Sequence, residues 1–227
     1  MATRCLLCYI SDRTALAADE PTRRRRLLEK IAEAARAGID YIQLREKDLS
    51  TRELESVARE AVRVVHEANK QAAGSRQPAT ALLINSLTDV ALAVGADGVH
   101  LRSDDISPQE VRRIWESAVP CGADAHAREP LIGISCHSPE QVHDAARQAA
   151  TFAVFAPVFE KKDSPGTKPS GLKLLEEARR ATIPVLAMGG ITLGNGEACL
   201  HAGAAGIAAI RLFQENDVAR IVRHLRG

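Results

Sequence analysis

The sequence lacks the features that would place it outside the class of ordinary globular proteins. Its 30 basic and 29 acidic residues leave a formal net charge of only +1, so it has no global attraction to nucleic acid or to an anionic membrane. No apolar run approaches the roughly 18 residues of a membrane-spanning helix, and no signal peptide is recognisable at the N-terminus. We therefore expect a cytoplasmic protein that has neither nucleic acid nor a membrane as a partner.

Paired cysteines and nucleotide-binding loops are also lacking. Cys5 and Cys8 form a C-x-x-C, but both lie in an apolar run typical of a strand, which turns residues i and i+3 to opposite faces. No second C-x-x-C and no H-x₃-H accompanies them. The chain has no G-x-x-x-x-G-K, and the short G-N-G at residues 194–196 is too little for a dinucleotide fingerprint. The five cysteines are thus expected to be reduced thiols.

Eight short apolar runs, alternating with segments of helical period, make up most of the chain. The runs are Cys5–Ile10, Tyr41–Leu44, Ala81–Ile84, Gly98–Leu101, Leu131–Ser135, Phe152–Phe155, Val185–Met188 and Gly206–Ile210. They are apolar at consecutive positions, as parallel strands covered by helices require. Eight strand–helix units predict an α/β fold, a single-domain (β/α)₈ TIM barrel spanning residues 1–227. A doubly wound open sheet is the alternative, although it rarely contains eight such regular units.

Polar residues or glycines follow most of these runs. In a barrel of this kind, the active site is built from residues at the C-terminal ends of the strands. In chain order these residues are Arg45 and Lys47, Asn85, Asp104 and Asp105, Ser135 and His137, Glu160 to Asp163, Gly189 and Gly190, and Arg211. Any one of them alone is compatible with a solvated surface, but their joint placement at one end of the barrel favours a functional site.

Several of these residues are suited to binding anions. Arg45 and Lys47 are two residues apart on an extended segment, so both point to the same side and can bind one anion; a solvated barrel rim is the alternative. Gly189 and Gly190 leave main-chain N–H groups open to a phosphate at the loops that commonly bind phosphate in barrels, or else they form a tight turn. Arg211 adds a cation beside them.

Two adjacent carboxylates, Asp104 and Asp105, follow the fourth run. Carboxylate oxygens suit Mg²⁺, which commonly joins one or two protein carboxylates to the phosphates of a substrate. A helix cap is the alternative, because a helix is expected to begin near Ser107–Pro108. Mg²⁺ is the predicted cofactor.

Four stretches resemble one enzyme family over nearly the whole chain. They are QLREKD at residues 43–48, INSLTDVALAVGADGVHL at 84–101, GISCHSPEQ at 133–141, and IPVLAMGGIT to AGAAGIAAI within 183–210. The family is that of thiamine phosphate synthase and its TenI-type relatives. The resemblance implies a (β/α)₈ barrel that acts on pyrimidine and thiazole phosphates in thiamine biosynthesis. In the synthase, a pyrimidine diphosphate loses pyrophosphate, and the thiazole nitrogen captures the resulting carbocation.

The resemblance also implies roles for individual residues. It places Gln43, Arg45, Lys47 and Asn85 around the pyrimidine diphosphate, Asp105 on Mg²⁺, Ser135 near the pyrophosphate, and Gly190 with the end of the eighth strand at the thiazole phosphate. Gly189 and Arg211 are expected to bind substrate beside Gly190. The expected catalytic residues are Arg45, Lys47, Ser135 and His137. Glu46 and Asp48 are expected to orient the two cations from the other side of the strand end. A homodimer is the candidate assembly.

Three departures from the synthase pattern bear on these expectations. The synthase usually has an aspartate at the position of Ser86, so Asp104 is expected to supply the missing carboxylate. The loop after the sixth strand usually carries Thr-x-Thr-Lys; here residues 159–164 read FEKKDS, and Lys161 or Lys162 is expected to replace the lysine. Arg211 stands where a serine is usual.

The loop after the sixth strand is more similar to that of the TenI-type tautomerase. We predict a synthase-like transferase, because QLREK and Asp105 are the synthase's residues. A thiazole tautomerase is the main alternative, with His137 as its acid and base. A non-catalytic phosphate-binding barrel is the third.

Overall fold

The chain folds into a closed barrel of eight parallel strands with helices between them. In this computed structural model, residues 4–74, 77–118, 129–160 and 168–227 are described. The strands are ordered β1 to β8 in sequence, and β8 pairs with β1 to close the barrel. The predicted (β/α)₈ architecture is therefore confirmed. Within the described ranges, no helix is long and apolar enough to cross a membrane.

The strands are short and the helices are of unequal length. The strands are β1 Leu6–Ile10, β2 Tyr41–Leu44, β3 Ala81–Asn85, β4 Gly98–Leu101, β5 Leu131–Cys136, β6 Phe152–Phe155, β7 Val185–Ala187 and β8 Gly206–Ala209. The helices are α1 Glu20–Arg36, α2 Thr51–Gln71, α3 Thr88–Val94, α4 Pro108–Ala118, α5 Pro139–Arg147, α6 Gly171–Ala178, α7 Leu193–His201, α8 Arg211–Gln214 and α9 Val218–Arg226. A short 3₁₀ turn covers Arg13–Ala15.

The predicted runs coincide with β2, β4 and β6 and differ from every other strand by one residue at one end. Asn85 belongs to β3 because it still pairs with His100 of β4, and Ser135 belongs to β5 because it pairs with Val154 of β6. Arg211 begins α8 rather than ending a strand, since its carbonyl already accepts from the N–H of Glu215.

Several helices begin at caps that the sequence supplies. At α2, the N–H of Glu53 donates to Ser50 Oγ and the Glu53 carboxylate accepts from the N–H of Ser50. The same reciprocal pair, Ser107 with Glu110, begins α4. These capping boxes satisfy main-chain donors that a helix start would otherwise leave unpaired.

The barrel interior is filled by alternate residues of each strand. Its apolar part consists of Cys8, Ile10, Leu83, Phe152, Val154, Leu186 and Ala208. The rings of Tyr41 and Phe152 stack there, with centroids 4.6 Å apart. A Cβ on Gly133 would lie 2.5 Å from Phe152 Cζ and 2.7 Å from His100 Nδ1, so a glycine is needed to admit both rings. This packing closes the barrel below the carboxyl ends of its strands.

The opposite, amino-terminal end of the barrel is held by a buried carboxylate. Asp40 accepts from the N–H of Leu7 (2.8 Å) and from the guanidinium groups of Arg4 and Arg226. Arg226, in α9, also donates to the carbonyls of Cys5 (3.1 Å) and Gly38 (2.7 Å). The last helix is thus bonded directly to the segments that flank β1 and β2. 

Candidate active site

Four polar side chains face one another inside the barrel near the carboxyl ends of β2 to β5. Gln43 Nε2 donates to Asn85 Oδ1 at 2.8 Å, and His100 Nε2 lies 2.9 Å from Ser135 Oγ. The parallel register sets this arrangement, because Asn85 pairs with His100 across the β3–β4 ladder. The strands therefore bring together three predicted residues and one, His100, that was not predicted.

His100 is buried and electrically neutral at ordinary pH. Burial lowers its pKa to about 4, and the positive charge of Arg45 contributes in the same direction. A neutral ring can accept from the Ser135 hydroxyl or donate to it. One sequence signal could have found this residue: His100 lies two positions after Gly98 on β4, in the alternation that turns side chains inward.

Two atoms of this polar layer have no hydrogen-bond partner among the residues that the structure describes. They are Gln43 Oε1 and His100 Nδ1, both buried. A buried polar atom without a partner costs free energy, so its presence favours a bound ligand or water at that place. The Gln43 oxygen is an acceptor, which suits a ligand that carries an amino group.

Arg45 and Lys47 follow β2 at the rim of this layer. The Arg45 side chain is half-buried, and burial lowers its pKa although a guanidinium remains charged. Lys47 is exposed. One cation partly removed from water beside one in solvent is an arrangement that can bind an anion entering from outside.

Glu46 and Asp48 contact different partners from those predicted. The Glu46 side chain is only 1% exposed; it accepts from the Ser11 hydroxyl and from the N–H of Arg13 (2.9 Å). Burial raises the pKa of Glu46, while the Arg13 hydrogen bond lowers that of Asp48. Among the described residues, neither acid bonds to the side chain of Arg45 or Lys47, and Asp48 pairs with Arg13 at 2.6 Å instead. Glu46 reaches Arg45 only through Ser11, whose hydroxyl oxygen accepts from the N–H of Arg45 at 2.9 Å.

Asp104 and Asp105 lie beside Arg102 after β4. Arg102 is 3.3 Å from each carboxylate, and its N–H donates to Asp105 Oδ2 at 2.7 Å. The cap of α4 is Ser107, so capping does not explain these acids. The Asp105 side chain is 13% exposed and that of Asp104 is 72% exposed. Asp105 is the better placed of the two to form part of a site.

The donor set fits Mg²⁺ only together with a substrate. No three His, Cys, Asp or Glu side chains within the described ranges come together as metal ligands. Ser86 has a hydroxyl in place of a carboxylate, and it accepts from Asn85 Nδ2 at 3.1 Å. A single well-placed carboxylate, Asp105, suits an ion that takes its remaining ligands from water and substrate phosphates.

Gly189 and Gly190 follow β7 in a conformation that other residues rarely adopt. Their φ angles are 97° and 63°, and a Cβ on Gly190 would lie 2.5 Å from the carbonyl oxygen of Glu160. The N–H of Phe159 donates to the carbonyl of Gly189 at 3.0 Å. The glycines thus form a tight turn packed on the loop after β6. The half-buried Arg211 begins α8, which follows the neighbouring strand β8.

The sequence matches one family over most of its length. Residues 14–213 fit the family model described as thiamine monophosphate synthase. The chain belongs to the thiamine monophosphate synthase family.

Members of this family are similar to the chain along most of their own length. The thiamine-phosphate synthase of Methanoculleus marisnigri is 37% identical over 196 residues, which cover 85% of this chain and 83% of the relative. That of Roseiflexus castenholzii is 35% identical over 188 residues, covering 82% and 73%. The solved thiamine phosphate pyrophosphorylase of Pyrococcus furiosus has a TM-score of 0.75 and 26% identity, covering 99% of this chain and 95% of that one.

In a thiamine monophosphate synthase family member, His137 bears on the choice between transferase and tautomerase. The ring is exposed, and its Nδ1 donates to the carbonyl of Ala156 at 2.7 Å, so in the neutral ring Nε2 has the lone pair. The cap of α5 is Ser138, whose hydroxyl accepts from the N–H of Gln141. His137 is therefore not the capping residue.

Lys161 and Lys162, predicted to bind phosphate, lie outside the described residues.

Proposed function

We propose that the protein joins hydroxymethylpyrimidine diphosphate to thiazole phosphate, with release of pyrophosphate, and so forms thiamine phosphate. The observation that supports this most is the inward polar layer of β2 to β5, with the two cations Arg45 and Lys47 following directly after β2. The names of relatives that are 35% or more identical over most of the chain agree with it. Phosphorylated pyrimidine and thiazole compounds are the substrates of this proposal.

The rate of this reaction depends mainly on stabilisation of the leaving group, pyrophosphate. As the carbon–oxygen bond to the diphosphate breaks, both of its electrons pass to the pyrophosphate oxygen; the lone pair of the thiazole nitrogen then forms the new bond to carbon. Arg45 and Lys47 oppose the negative charge that grows on the pyrophosphate. His100, neutral because of its lowered pKa, donates from Nε2 to Ser135 and leaves the hydroxyl proton for a pyrophosphate oxygen.

The pyrimidine lies over the polar layer in this proposal. Its amino group donates to Gln43 Oε1, the buried acceptor without a described partner, while Asn85 holds the Gln43 amide in place. Bound Mg²⁺, when Asp105 and the diphosphate hold it, supplies further positive charge to the leaving group. The Asp104 side chain is exposed, so in this proposal its negative charge acts on the ion from the solvent side of Asp105. 

The thiazole phosphate occupies the corner between β7 and β8. Loops after these two strands, with a short extra helix, are the usual phosphate site of such barrels. Gly189 and Gly190 offer their main-chain N–H groups there, and Arg211 offers a guanidinium. Lys161 and Lys162 stay predictions for the same phosphate.

A tautomerase is the second candidate, and His137 is the observation that favours it. Its Nδ1–H is fixed on Ala156, so Nε2 can accept a proton from a thiazole substrate. His137→Ala should lower tautomerisation by about 10²–10⁴-fold, which is what general acid–base catalysis supplies. A synthase should lose much less, because no proton transfer is needed to form and capture the cation.

The deciding experiment incubates the protein with hydroxymethylpyrimidine diphosphate, thiazole phosphate and Mg²⁺ and follows thiamine phosphate by chromatography. We expect product in the wild type, a strong loss in Lys47→Ala, and near-normal turnover in His137→Ala. Arg63→Ala, an exposed arginine on α2, is the matched control for removal of a cation. Tautomerisation without any thiamine phosphate would overturn the proposal in favour of the second candidate.

The cytoplasm is the compartment that suits the cysteines. The four within the described ranges are free thiols, and three of them are buried. Reduced thiols persist in the cytosol. A homodimer stays a prediction.

A further inference from the structure

The turn that follows β1 lies between the two anion-binding corners. Ser11, at the start of this turn, is fully buried and donates its N–H to the carbonyl of Gln43 at 3.0 Å. Its hydroxyl accepts from the N–H of Arg45 and donates to Glu46. The turn is therefore bonded to the main chain at Gln43 in β2 and at Arg45, the residue that would bind the diphosphate.

The other side of the same turn is bonded to α8. Gln214, 8% exposed, donates from Nε2 to the carbonyl of Asp12 at 2.7 Å and accepts at Oε1 from the N–H of Asp12 at 3.3 Å. The Tyr9 hydroxyl donates to the same Oε1 at 3.2 Å. One amide thus fixes the turn to the helix that begins with Arg211.

A buried arginine completes the connection. Arg13 is 2% exposed; its N–H donates to Glu46, and its guanidinium pairs with Asp48 at 2.6 Å and Glu20 at 3.0 Å. The buried positive charge of Arg13 therefore has opposite charges beside it. So many buried polar contacts in a short turn fix its position more tightly than packing alone.

We propose that Ser11, Glu46 and Gln214 are positioning residues, which hold the β1–α1 turn between β2 and α8 and thereby set the distance between Arg45 and Arg211. Neither Ser11 nor Gln214 needs to touch a substrate for this. The inference rests on the proposed function, in which these two cations hold the two phosphorylated substrates. A small displacement of either substrate would be costly, because bond formation needs the two reacting atoms in near-contact.

Two variants and two matched controls separate positioning from stability. Ser11→Ala removes the hydroxyl and Gln214→Met removes the amide at similar volume. The controls lie at the amino-terminal end of the barrel. Thr80→Val removes a buried hydroxyl that donates to the carbonyl of Ile39 at 2.6 Å. Asn69→Leu removes an amide that exchanges two hydrogen bonds of 2.9 Å with the main chain of Thr80.

Affinity for inorganic pyrophosphate and for thiazole phosphate is measured by calorimetry, alongside the melting temperature. We expect Ser11→Ala to weaken pyrophosphate binding about three- to tenfold and Gln214→Met to weaken thiazole phosphate binding similarly, the usual effect of a lost hydrogen bond. In both variants kcat should fall by a larger factor than the affinity for either ligand. The controls should lower the melting temperature and leave both affinities unchanged.

Equal affinities in variants and controls would show that the contacts serve stability only, and the inference would be wrong. If Ser11→Ala does not fold, Glu46→Gln tests the same connection, since it keeps the shape and removes the charge that accepts from Ser11; unchanged pyrophosphate affinity there would likewise contradict the proposal. A wild type that binds neither pyrophosphate nor thiazole phosphate would instead overturn the proposed function, and the positioning role with it.

Discussion

The two halves of the barrel contribute different kinds of polar group to the candidate site. The inward residues at the carboxyl ends of β2 to β5 are polar side chains: Gln43, Asn85, His100 and Ser135. The corresponding inward residues of β6 to β8 are apolar: Val154, Met188 and Ile210. On that second side the polar groups come from the main chain of the glycine turn and from the start of α8.

The two halves should therefore respond differently to substitution. A side chain at a strand end can be exchanged while the strand stays in place, because the ladder hydrogen bonds belong to the main chain. A main-chain turn packed against its neighbour cannot gain even one carbon atom without moving. We therefore expect substitutions in the first half to cost ligand binding, and those in the second half to cost stability as well.

Gly190→Ala should have the largest effect. A residue with a Cβ at φ 63° costs about 1–2 kcal/mol, and the Cβ would also lie 2.5 Å from the Glu160 carbonyl oxygen, so we expect a total of roughly 3 kcal/mol or more. Gly95→Ala is the matched control, since Gly95 has φ 68° with nothing within 4 Å. Urea unfolding measures both, and equal losses would remove the contrast between the halves.

Arg45→Ala should cost binding rather than folding. Loss of a charge-assisted contact should weaken pyrophosphate binding by about 1.5–3 kcal/mol, with a smaller change in melting temperature than in Gly190→Ala. Lys47→Ala should behave in the same way. Calorimetric titration with inorganic pyrophosphate tests both variants. Unchanged affinity in the two would mean that these residues belong to a solvated rim and do not bind the anion.

His100 should make the polar half sensitive to acid. Its pKa of about 4 in the folded chain lies below the ordinary 6.5, so between these values the unfolded chain binds a proton that the folded chain does not. Stability should therefore fall as the pH falls from 6.5 toward 4, by on the order of 2 kcal/mol at pH 5.

Removal of the ring tests this. His100→Gln should show a smaller difference in unfolding free energy between pH 7 and pH 5 than the wild type, whatever its stability at pH 7. His66→Gln, an exposed histidine on α2, is the control. An undiminished pH dependence in His100→Gln would assign the acid sensitivity to other groups.

Asp105→Asn should have the smallest effect of the four. Mg²⁺ should strengthen pyrophosphate binding by the wild type. In the variant, pyrophosphate affinity in the presence of Mg²⁺ should be lower by roughly tenfold or less, because the pyrophosphate oxygens and water supply most ligands of the ion. Asp104→Asn should change less, since its side chain is 72% exposed. Tight Mg²⁺ binding by the free protein would contradict this picture.

The strands could be predicted from sequence because each is a short, consecutively apolar run. Parallel strands covered on both faces leave no alternation to misread, so even the errors are single residues, as at Asn85 and Cys136. The strand-end rule also placed Arg45 and Asp105 after the carboxyl ends of their strands, and the structure has them there.

What could not be predicted depends on contacts between distant segments. Glu46 stands among charged residues in REKD and looks like a surface acid, yet it is buried because Ser11 and Arg13, about 35 positions earlier in the chain, supply its hydrogen bonds. His100 looks like a polar interruption of an apolar strand until the register places it beside Ser135. Local pattern contains neither fact.

The contacts of Arg226 have a consequence for the order of events during synthesis. Its acceptors, the carbonyls of Cys5 and Gly38 and the carboxylate of Asp40, leave the ribosome long before it does. β8, which closes the barrel onto β1, also emerges late. A nascent chain thus has open edges at β1 and β7 until β8 has been made. We expect this barrel to close only after β8 and the last helix have left the ribosome.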